Sequence, residues 1–262
     1  MHWPFKQHKT SRNQILLPYH EELKKAGACF GVSGGYERPM WYSLNGEAPK
    51  YEYSYGYQSW FKSAEFETKN SRENVGLFEL SPFSKFDLKG QTVHQELQFI
   101  CTANIKNEIG RTTYTQMLNE DGGIETDVTI VCLDNNHFRV IGPAATREHD
   151  KFHILKYLSD KVEFSDLTEE ICCLGLFGPK SRDLMNNLSK DDFSNEGFKF
   201  GTGKYIEINQ TKVWSQRLSY VGEVGFELYV DCNDAKKIYE LIVKEGKNYK
   251  LSHCGMHAMD IM

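Results

Sequence analysis

The feature that most constrains the fold of this chain is a hairpin pattern in residues 111–132. Residues 111–118 read as a strand, Asp121-Gly122 supplies a tight turn, and a strictly alternating strand returns from it. The alternating positions of the returning strand are Ile124, Thr126, Val128, Ile130 and Cys132. Because neighbouring side chains of a strand point to opposite faces, Asp127 is predicted on the other face, with Thr129 and Val131.

Strand and helix patterns are mixed along the rest of the chain, and short turns rather than helical crossovers join several neighbouring strands. A helix is expected after Gly142-Pro143, with Phe152, Leu155 and Leu158 facing inward. Further strands are expected at 171–177, 205–208, 213–220 and 226–230, and further helices through Leu184 and Leu188 and through Ile238, Leu241 and Ile242. This arrangement favours an α+β fold with mixed, largely antiparallel sheets and packed helices over a doubly wound fold.

Residues 1–58 differ in texture from residues 59–262, and we predict a division there into a lead-in segment packed on the core and the main domain. Between positions 36 and 66 the chain looks loop-rich and carries many large rings. These rings are Trp41, Tyr42, Tyr51, Tyr53, Tyr55, Tyr57, Trp60 and Phe61. The favoured interpretation is a surface excursion anchored by amphipathic rings, and the alternative is one wall of a ligand cleft.

Charge and composition exclude several classes of protein. A net charge of −5 with no long basic stretch argues against a nucleic-acid partner. No apolar run approaches the roughly 20 residues that a bilayer span needs, and the first residues do not resemble a signal peptide, so we expect no membrane partner and a cytoplasmic location. The seven cysteines are scattered in apolar contexts, which indicates free thiols rather than a disulfide framework. Cys172-Cys173 in particular reads as core rather than as a nucleophile.

Common motifs for cofactors and metals are not matched. The glycine-rich stretches at 31–35 and 201–204 look like turns, so no flavin or nicotinamide domain is expected in this chain. His149 and His153 are four residues apart on a predicted helix but have no evident third ligand, and a solvated helix face is the favoured interpretation. His253, Cys254 and His257 could also bind a metal, but they too lack a partner cluster elsewhere in the sequence, so no metal site is predicted.

Two segments carry candidate chemistry. In the first, 114–127, the carboxylate of Asp127 either faces water or looks into a cleft, where burial would raise its pKa. In the second, 217–227, a strand runs into a glycine-containing turn with two acids and a tyrosine. By composition alone this second segment is more typical of a plain hairpin.

Together these segments resemble the folate-binding domain shared by the glycine cleavage T-protein, or aminomethyltransferase, and the C-terminal half of dimethylglycine and sarcosine dehydrogenases. The resemblance extends over nearly the whole chain. Blocks similar to both branches lie at 114–127, 175–179 and 217–229, and blocks similar to the dehydrogenase branch are His2-Trp3-Pro4 and those at 27–31, 36–41 and 75–81. The resemblance implies an α+β core that binds tetrahydrofolate in a central cleft.

The resemblance also implies roles for individual residues. Asp127 matches the acidic residue beside the reactive folate nitrogen, where a carboxylate can stabilise cationic intermediates. Glu227 matches the pterin anchor, which accepts parallel N–H bonds. Tyr114 and Tyr220 match tyrosines that line the cleft, and Arg217 is a neighbour with a more structural role.

The function implied is a folate-dependent one-carbon transfer module that acts with dimethylglycine, sarcosine or glycine-type donors, possibly beside a separate flavin dehydrogenase chain. Proteins of this kind continue past a segment like 257–260 into a barrel-like C-terminal domain, so we expect this chain to lack that barrel. The missing barrel motivates an alternative, which is a non-catalytic folate-binding or regulatory remnant that acts through a partner chain.

Overall fold

The computed structural model describes residues 6–262, so the His2-Trp3-Pro4 motif lies outside the described residues. Strands and helices alternate irregularly within this range. The strands are β1 (Ala28–Ser33), β2 (Tyr36–Tyr42), β3 (Val75–Glu79), β4 (Ser84–Lys89), β5 (Thr112–Leu118), β6 (Ile124–Asp134), β7 (His137–Gly142), β8 (Glu163–Asp166), β9 (Ile171–Phe177), β10 (Gly203–Ile208), β11 (Thr211–Gln216), β12 (Gly225–Asp231) and β13 (Leu251–Cys254). The helices are α1 (His20–Lys25), α2 (Phe61–Glu73), α3 (Val93–Ile100), α4 (Arg147–Tyr157), α5 (Ser181–Leu188), α6 (Cys232–Gly246) and α7 (Met256–Ile261).

The strands form two large sheets and one small hairpin. The six-stranded sheet has the order β10-β11-β12-β9-β3-β13, the five-stranded sheet has the order β5-β6-β7-β4-β8, and β1 pairs with β2. All of these pairings are antiparallel except that of β13 with β3. None of the sheets formed by residues 6–262 closes into a barrel. The predicted α+β class with largely antiparallel sheets is confirmed.

Three apolar clusters show how the layers stack. One cluster joins the six-stranded sheet to α5 and α6, through residues such as Leu228 and Ile238. A second joins the five-stranded sheet to α3 and α4, through residues such as Ile130 and Leu97. The third lies between the two sheets and contains side chains of both. The two sheets therefore pack face to face, and each has helices on its outer face.

The hairpin of β5 and β6 follows the predicted alternation. Val128, Ile130 and Cys132 belong to the cluster under α3 and α4, whereas Val131 and Leu133 belong to the layer between the sheets. Asp127 is on the same face as this second set and is exposed. The face of Asp127 is therefore the face that looks toward the six-stranded sheet.

Some local predictions are wrong. The helix after Pro143 forms, but Phe152 is 73% exposed and Leu155 is also exposed, while Asp150, His153 and Ile154 are buried. Of the two histidines expected on a solvated face, His149 is exposed as predicted, whereas His153 is buried. The helix can bury the face that carries Asp150 because hydrogen bonds compensate the burial of this carboxylate. It accepts from Thr126 Oγ1 (3.1 Å) and from Thr146 Oγ1 (2.8 Å).

The boundaries of two other predicted segments also differ. Residues 36–42 are a strand rather than a loop, and they pair with β1 across a turn at Gly34 and Gly35, where φ is +57° and +85°. Positive φ at both turn positions is typical of a two-residue hairpin, which explains the glycines. The strand expected at 213–220 ends at Gln216, so the rest of that segment is loop.

The first part of the chain is integrated with the body. Tyr19, Tyr36 and Tyr42 belong to the same apolar cluster as α5 and α6. The division between residues 58 and 59 stays a prediction.

All seven cysteines are free, and six of them are buried. No described helix has the length and apolarity needed to cross a membrane.

Candidate functional site

The candidate site is a small open cavity between the two sheets, where β6 approaches the loop between β11 and β12. Its volume is about 60 Å³. Asp127 and Tyr114 of the five-stranded sheet line it, together with Tyr220 of the β11–β12 loop and Phe83 of the β3–β4 turn. Three of the five residues predicted for the site therefore meet around one cavity.

Asp127 is held by one direct partner from the neighbouring strand. Register places Gln116 opposite Asp127 and Tyr114 opposite Thr129, so Tyr114 and Asp127 are diagonal neighbours on one face. The Tyr114 hydroxyl donates to Asp127 Oδ2 at 2.8 Å. This hydrogen bond to the carboxylate raises the pKa of Tyr114, which keeps the hydroxyl a donor. The carboxylate is oriented but remains open to the cavity.

Tyr220, in the loop between two strands of the six-stranded sheet, contacts the five-stranded sheet across the layer between the sheets. Its hydroxyl lies 3.5 Å from Thr129 Oγ1 of β6, and its ring is nearly parallel to that of Phe83, with centroids 6.1 Å apart. The side chain is 48% exposed, but burial of its hydroxyl end and the charge of Glu227 raise its pKa to about 12. Tyr220 thus presents an aromatic face to the cavity and a neutral hydroxyl to β6.

Glu227 lies deeper and does not line the cavity. On β12, Phe226 and Leu228 point to the helices, so Glu227 faces the layer between the sheets. It is 3% exposed, and its Oε2 accepts from Tyr229 Oη at 2.7 Å and from Gln216 Nε2 at 3.3 Å. Burial raises the pKa of Glu227 to about 7. The charge of Glu227 is one of the causes that raise the pKa of Tyr220.

Arg217 is oriented away from the cavity. Its guanidinium donates to the Phe198 carbonyl and to Asn195 Oδ1, at 2.7 Å for the latter, and partial burial lowers its pKa. These contacts join the end of β11 to the loop that precedes β10. In this structure Arg217 therefore contacts structural elements rather than the site.

Sequence patterns missed several residues of the site. Gln216 is directly opposite Glu227 in the pairing of β11 with β12, and Tyr229 is two residues further on the same face. Alternation along β12 could have found Tyr229 once Glu227 was chosen, but Gln216 requires the strand register. Phe83 and Thr129 contact Tyr220 over long sequence separations, which no local pattern reveals.

A larger cavity, of about 550 Å³, lies elsewhere, between β1 and the segment around Tyr51 and Tyr53. Its lining includes the cations Lys6, Lys9, Arg12, Lys24 and Lys50. Size alone would favour it, but none of the described residues that line it is a carboxylate, whereas the smaller cavity combines a carboxylate with aromatic faces. We therefore locate the candidate chemistry at the smaller cavity.

No cluster of three metal-binding side chains occurs in the part of the chain that the structure describes.

The donor set of the smaller site fits a flat heterocycle with N–H groups. Tyr220 and Phe83 offer ring faces, and the carboxylate of Asp127 accepts hydrogen bonds, while Glu227 lies behind the lining with its own partners. The volume of about 60 Å³ is well below the roughly 300 Å³ at which small-molecule pockets begin. A ligand of folate size would thus need more space than this cavity offers.

Comparisons with known proteins bear on the family and the fold of the chain. The family model described as the GCVT N-terminal domain matches residues 19–262. A 4-methylaminobutanoate oxidase (formaldehyde-forming) of Paenarthrobacter nicotinovorans is 38% identical over 99% of this chain and 32% of its own length. The mitochondrial dimethylglycine dehydrogenase of Rattus norvegicus is 30% identical over 92% of this chain and 28% of its own length. The chain therefore spans about a third of the length of these relatives.

A solved structure shows the same fold. The glycine cleavage system aminomethyltransferase T from Bartonella henselae superposes with a TM-score of 0.77 at 23% identity, over 95% of this chain and 61% of that one. At this identity the match speaks for the fold alone. The family model spans nearly the whole chain, and it confirms the resemblance to aminomethyltransferases. The chain belongs to the family of the GCVT N-terminal domain.

Proposed function

We propose that this chain is a tetrahydrofolate-dependent one-carbon transfer module that accepts a methylene or aminomethyl unit from a dimethylglycine, sarcosine or glycine-type donor. The observation that carries the proposal is the Asp127–Tyr114 pair, which lines a cavity beside the ring of Tyr220. Family membership supports the reaction class, and the names of the two relatives support methylated amines as the source of the carbon unit.

In this proposal the residues of the site have different roles, according to where they lie. Tetrahydrofolate, when bound, supplies the ring nitrogen that takes up the one-carbon unit. Glu227, fixed by Tyr229 and Gln216, accepts N–H bonds from the aminopyrimidine edge. Tyr220 packs on the flat ring, and Asp127 stabilises positive charge that develops beside it. Oxidation of the donor is assigned to a separate flavin dehydrogenase chain, and a cytoplasmic location stays a prediction.

Calorimetric titration of the 262-residue chain with tetrahydrofolate tests the binding part of the proposal. At about pH 8, above the pKa of about 7 of Glu227, wild type should bind, and Glu227→Gln should weaken binding roughly tenfold or more, because a charge-assisted acceptor becomes a neutral amide. The matched control is Glu207→Gln, an exposed carboxylate on β10 of the same sheet, which should bind like wild type. Fluorescence of Trp214, whose indole N–H donates to Gln216, gives a second readout.

An absence of both heat and fluorescence change in wild type would contradict the proposal. Binding without formation of methylene-tetrahydrofolate, when a donor and its dehydrogenase are supplied, would instead favour the alternative of a non-catalytic folate-binding or regulatory module.

A further inference from the structure

Two cysteine thiols meet outside the candidate site. Cys172 is on β9, and Cys232 is the first residue of α6, and their sulfur atoms lie 3.0 Å apart although the residues are 60 positions apart in the chain. The pairing of β12 with β9 brings them together, since Val230 is directly opposite Cys172 and the chain enters α6 two residues later. No other pair of cysteine sulfurs within residues 6–262 lies at hydrogen-bonding distance.

The two thiols are in unequal surroundings. Cys232 is partly exposed and stands at the start of a 15-residue helix, whose dipole favours negative charge on sulfur, although the N–H groups of Cys232 and Asn233 already donate to Glu170 and Asp231. The hydrogen bond with Cys172 and, less strongly, the charge of Lys85 lower the pKa of Cys232, although burial and the charges of Asp231 and Glu79 oppose this. The same hydrogen bond and burial raise the pKa of Cys172. Cys232 is thus suited to be the attacking thiolate, although as a thiol it also donates to the Glu169 carbonyl at 3.2 Å, and Cys172 keeps its proton.

A small oxidant can reach the pair. Both cysteines line a cavity of about 150 Å³, which also contacts Pro18, Tyr36 and Glu169. A water molecule occupies roughly 30 Å³ in the liquid, so this space admits hydrogen peroxide, which is only slightly larger. Of the other cysteines, Cys173 is the adjacent residue on β9, but it is buried in the layer between the sheets.

We propose that Cys172 and Cys232 form a redox-sensitive dithiol that hydrogen peroxide converts into a reversible disulfide. The Cys232 thiolate attacks one oxygen of the peroxide, the O–O bond breaks, and hydroxide leaves, so the sulfur becomes a sulfenic acid. The Cys172 sulfur then displaces the sulfenic oxygen, which leaves as water. In total the two thiols lose two protons and two electrons, and one peroxide is reduced to two water molecules.

The disulfide would link the start of α6 to a central strand of the six-stranded sheet. β9 pairs with both β3 and β12, and its Gly175 is opposite Glu227. A bond across 60 residues restricts the unfolded chain, so the oxidised protein should unfold at a higher temperature than the reduced protein. The device would therefore stabilise the sheet that carries Glu227 under oxidising conditions.

Thiol counting on the full chain tests the proposal. After mild peroxide and removal of the excess, the denatured protein should show two fewer reactive thiols than its seven, with a mass loss of about 2 Da that dithiothreitol reverses. Non-reducing peptide mapping should join the segment containing Cys172 to that containing Cys232. Cys232→Ser should abolish the link, and Cys172→Ser should leave a sulfenic acid on Cys232 that dimedone traps.

The matched control is Cys173→Ala, which should retain the link and so distinguish Cys172 from its neighbour. The proposal is overturned if peroxide oxidises wild type and Cys232→Ser at the same rate, if the link persists in Cys172→Ser, or if no thiols are lost at peroxide concentrations that oxidise a free cysteine. Circular dichroism of each variant shows that a lost link does not reflect a lost fold.

Discussion

Asp127 and Glu227 both face the layer between the two large sheets, but they belong to opposite sheets and lie at different depths. Asp127 is exposed at the cavity and has one direct partner, the Tyr114 hydroxyl. Glu227 is buried and is held by Tyr229 and Gln216. Under the proposed function, the accessible carboxylate of Asp127 stabilises charge on the reacting group, and the buried carboxylate of Glu227 accepts hydrogen bonds from the ligand. The difference in depth between the two carboxylates would then separate catalysis from binding.

Removing the charge of the exposed carboxylate, Asp127, should have the largest effect on one-carbon transfer. Asp127→Asn keeps an oxygen acceptor for Tyr114 but cannot stabilise developing positive charge, so we expect one-carbon transfer to fall roughly 100-fold to 10,000-fold. Binding of tetrahydrofolate should change little. Rates of methylene-tetrahydrofolate formation, measured beside calorimetric binding, test this separation.

The control for this variant is Asp121→Asn in the turn of the same hairpin, where the carboxylate is exposed and outside the cavity. It should transfer at the wild-type rate. If Asp127→Asn lost binding and transfer to the same extent, the division between an exposed chemical carboxylate and a buried recognition carboxylate would be wrong.

The titration of the buried carboxylate, Glu227, should make the free energy of unfolding depend on pH. The pKa of Glu227 is about 7 in the folded protein, well above the ordinary value of 4.5, so the folded state holds its proton more tightly than the unfolded state. The resulting stabilisation is fully present below about pH 4.5 and is lost as pH rises through about 7, which amounts to about 3 kcal/mol. Glu227→Gln should remove this dependence.

Chemical denaturation of wild type and Glu227→Gln between about pH 5 and pH 8 measures the difference. The difference is the proper readout, because half-buried His253, whose pKa desolvation lowers to about 4, gives a slope of opposite sign below about pH 6.5. Glu67, with a pKa of about 7 and bonds from the Tyr42 and Gly255 amides, contributes a slope like that of Glu227. Glu67→Gln should therefore flatten the stability profile without changing folate binding, whereas parallel curves for wild type and Glu227→Gln would contradict the assignment.

The same comparison shows what a sequence can predict. Alternation along β6 is a local signal with a period of two, so it gave the face of Asp127 correctly. The inward face of α4 was wrong, because buried Asp150 has polar partners and a hydrophobic pattern does not detect compensated burial. Gln216 was missed because its contact with Glu227 depends on register between two strands. Tyr220 was chosen by family resemblance, and its contact with Thr129 spans 91 residues that no local pattern can join.

The smallest effect is expected from the partner that orients the exposed carboxylate. Tyr114→Phe removes one hydrogen bond to Asp127, and since both side chains are exposed, its net worth is about 1 kcal/mol, or about fivefold in the rate of transfer. Global stability should be unchanged, because the ring packs on the surface. Tyr205→Phe, at an exposed tyrosine of β10, is the control and should have no effect on transfer. A loss as large as that of Asp127→Asn would mean that the Tyr114 hydroxyl itself takes part in proton transfer, and the role given to Asp127 alone would then belong to the pair.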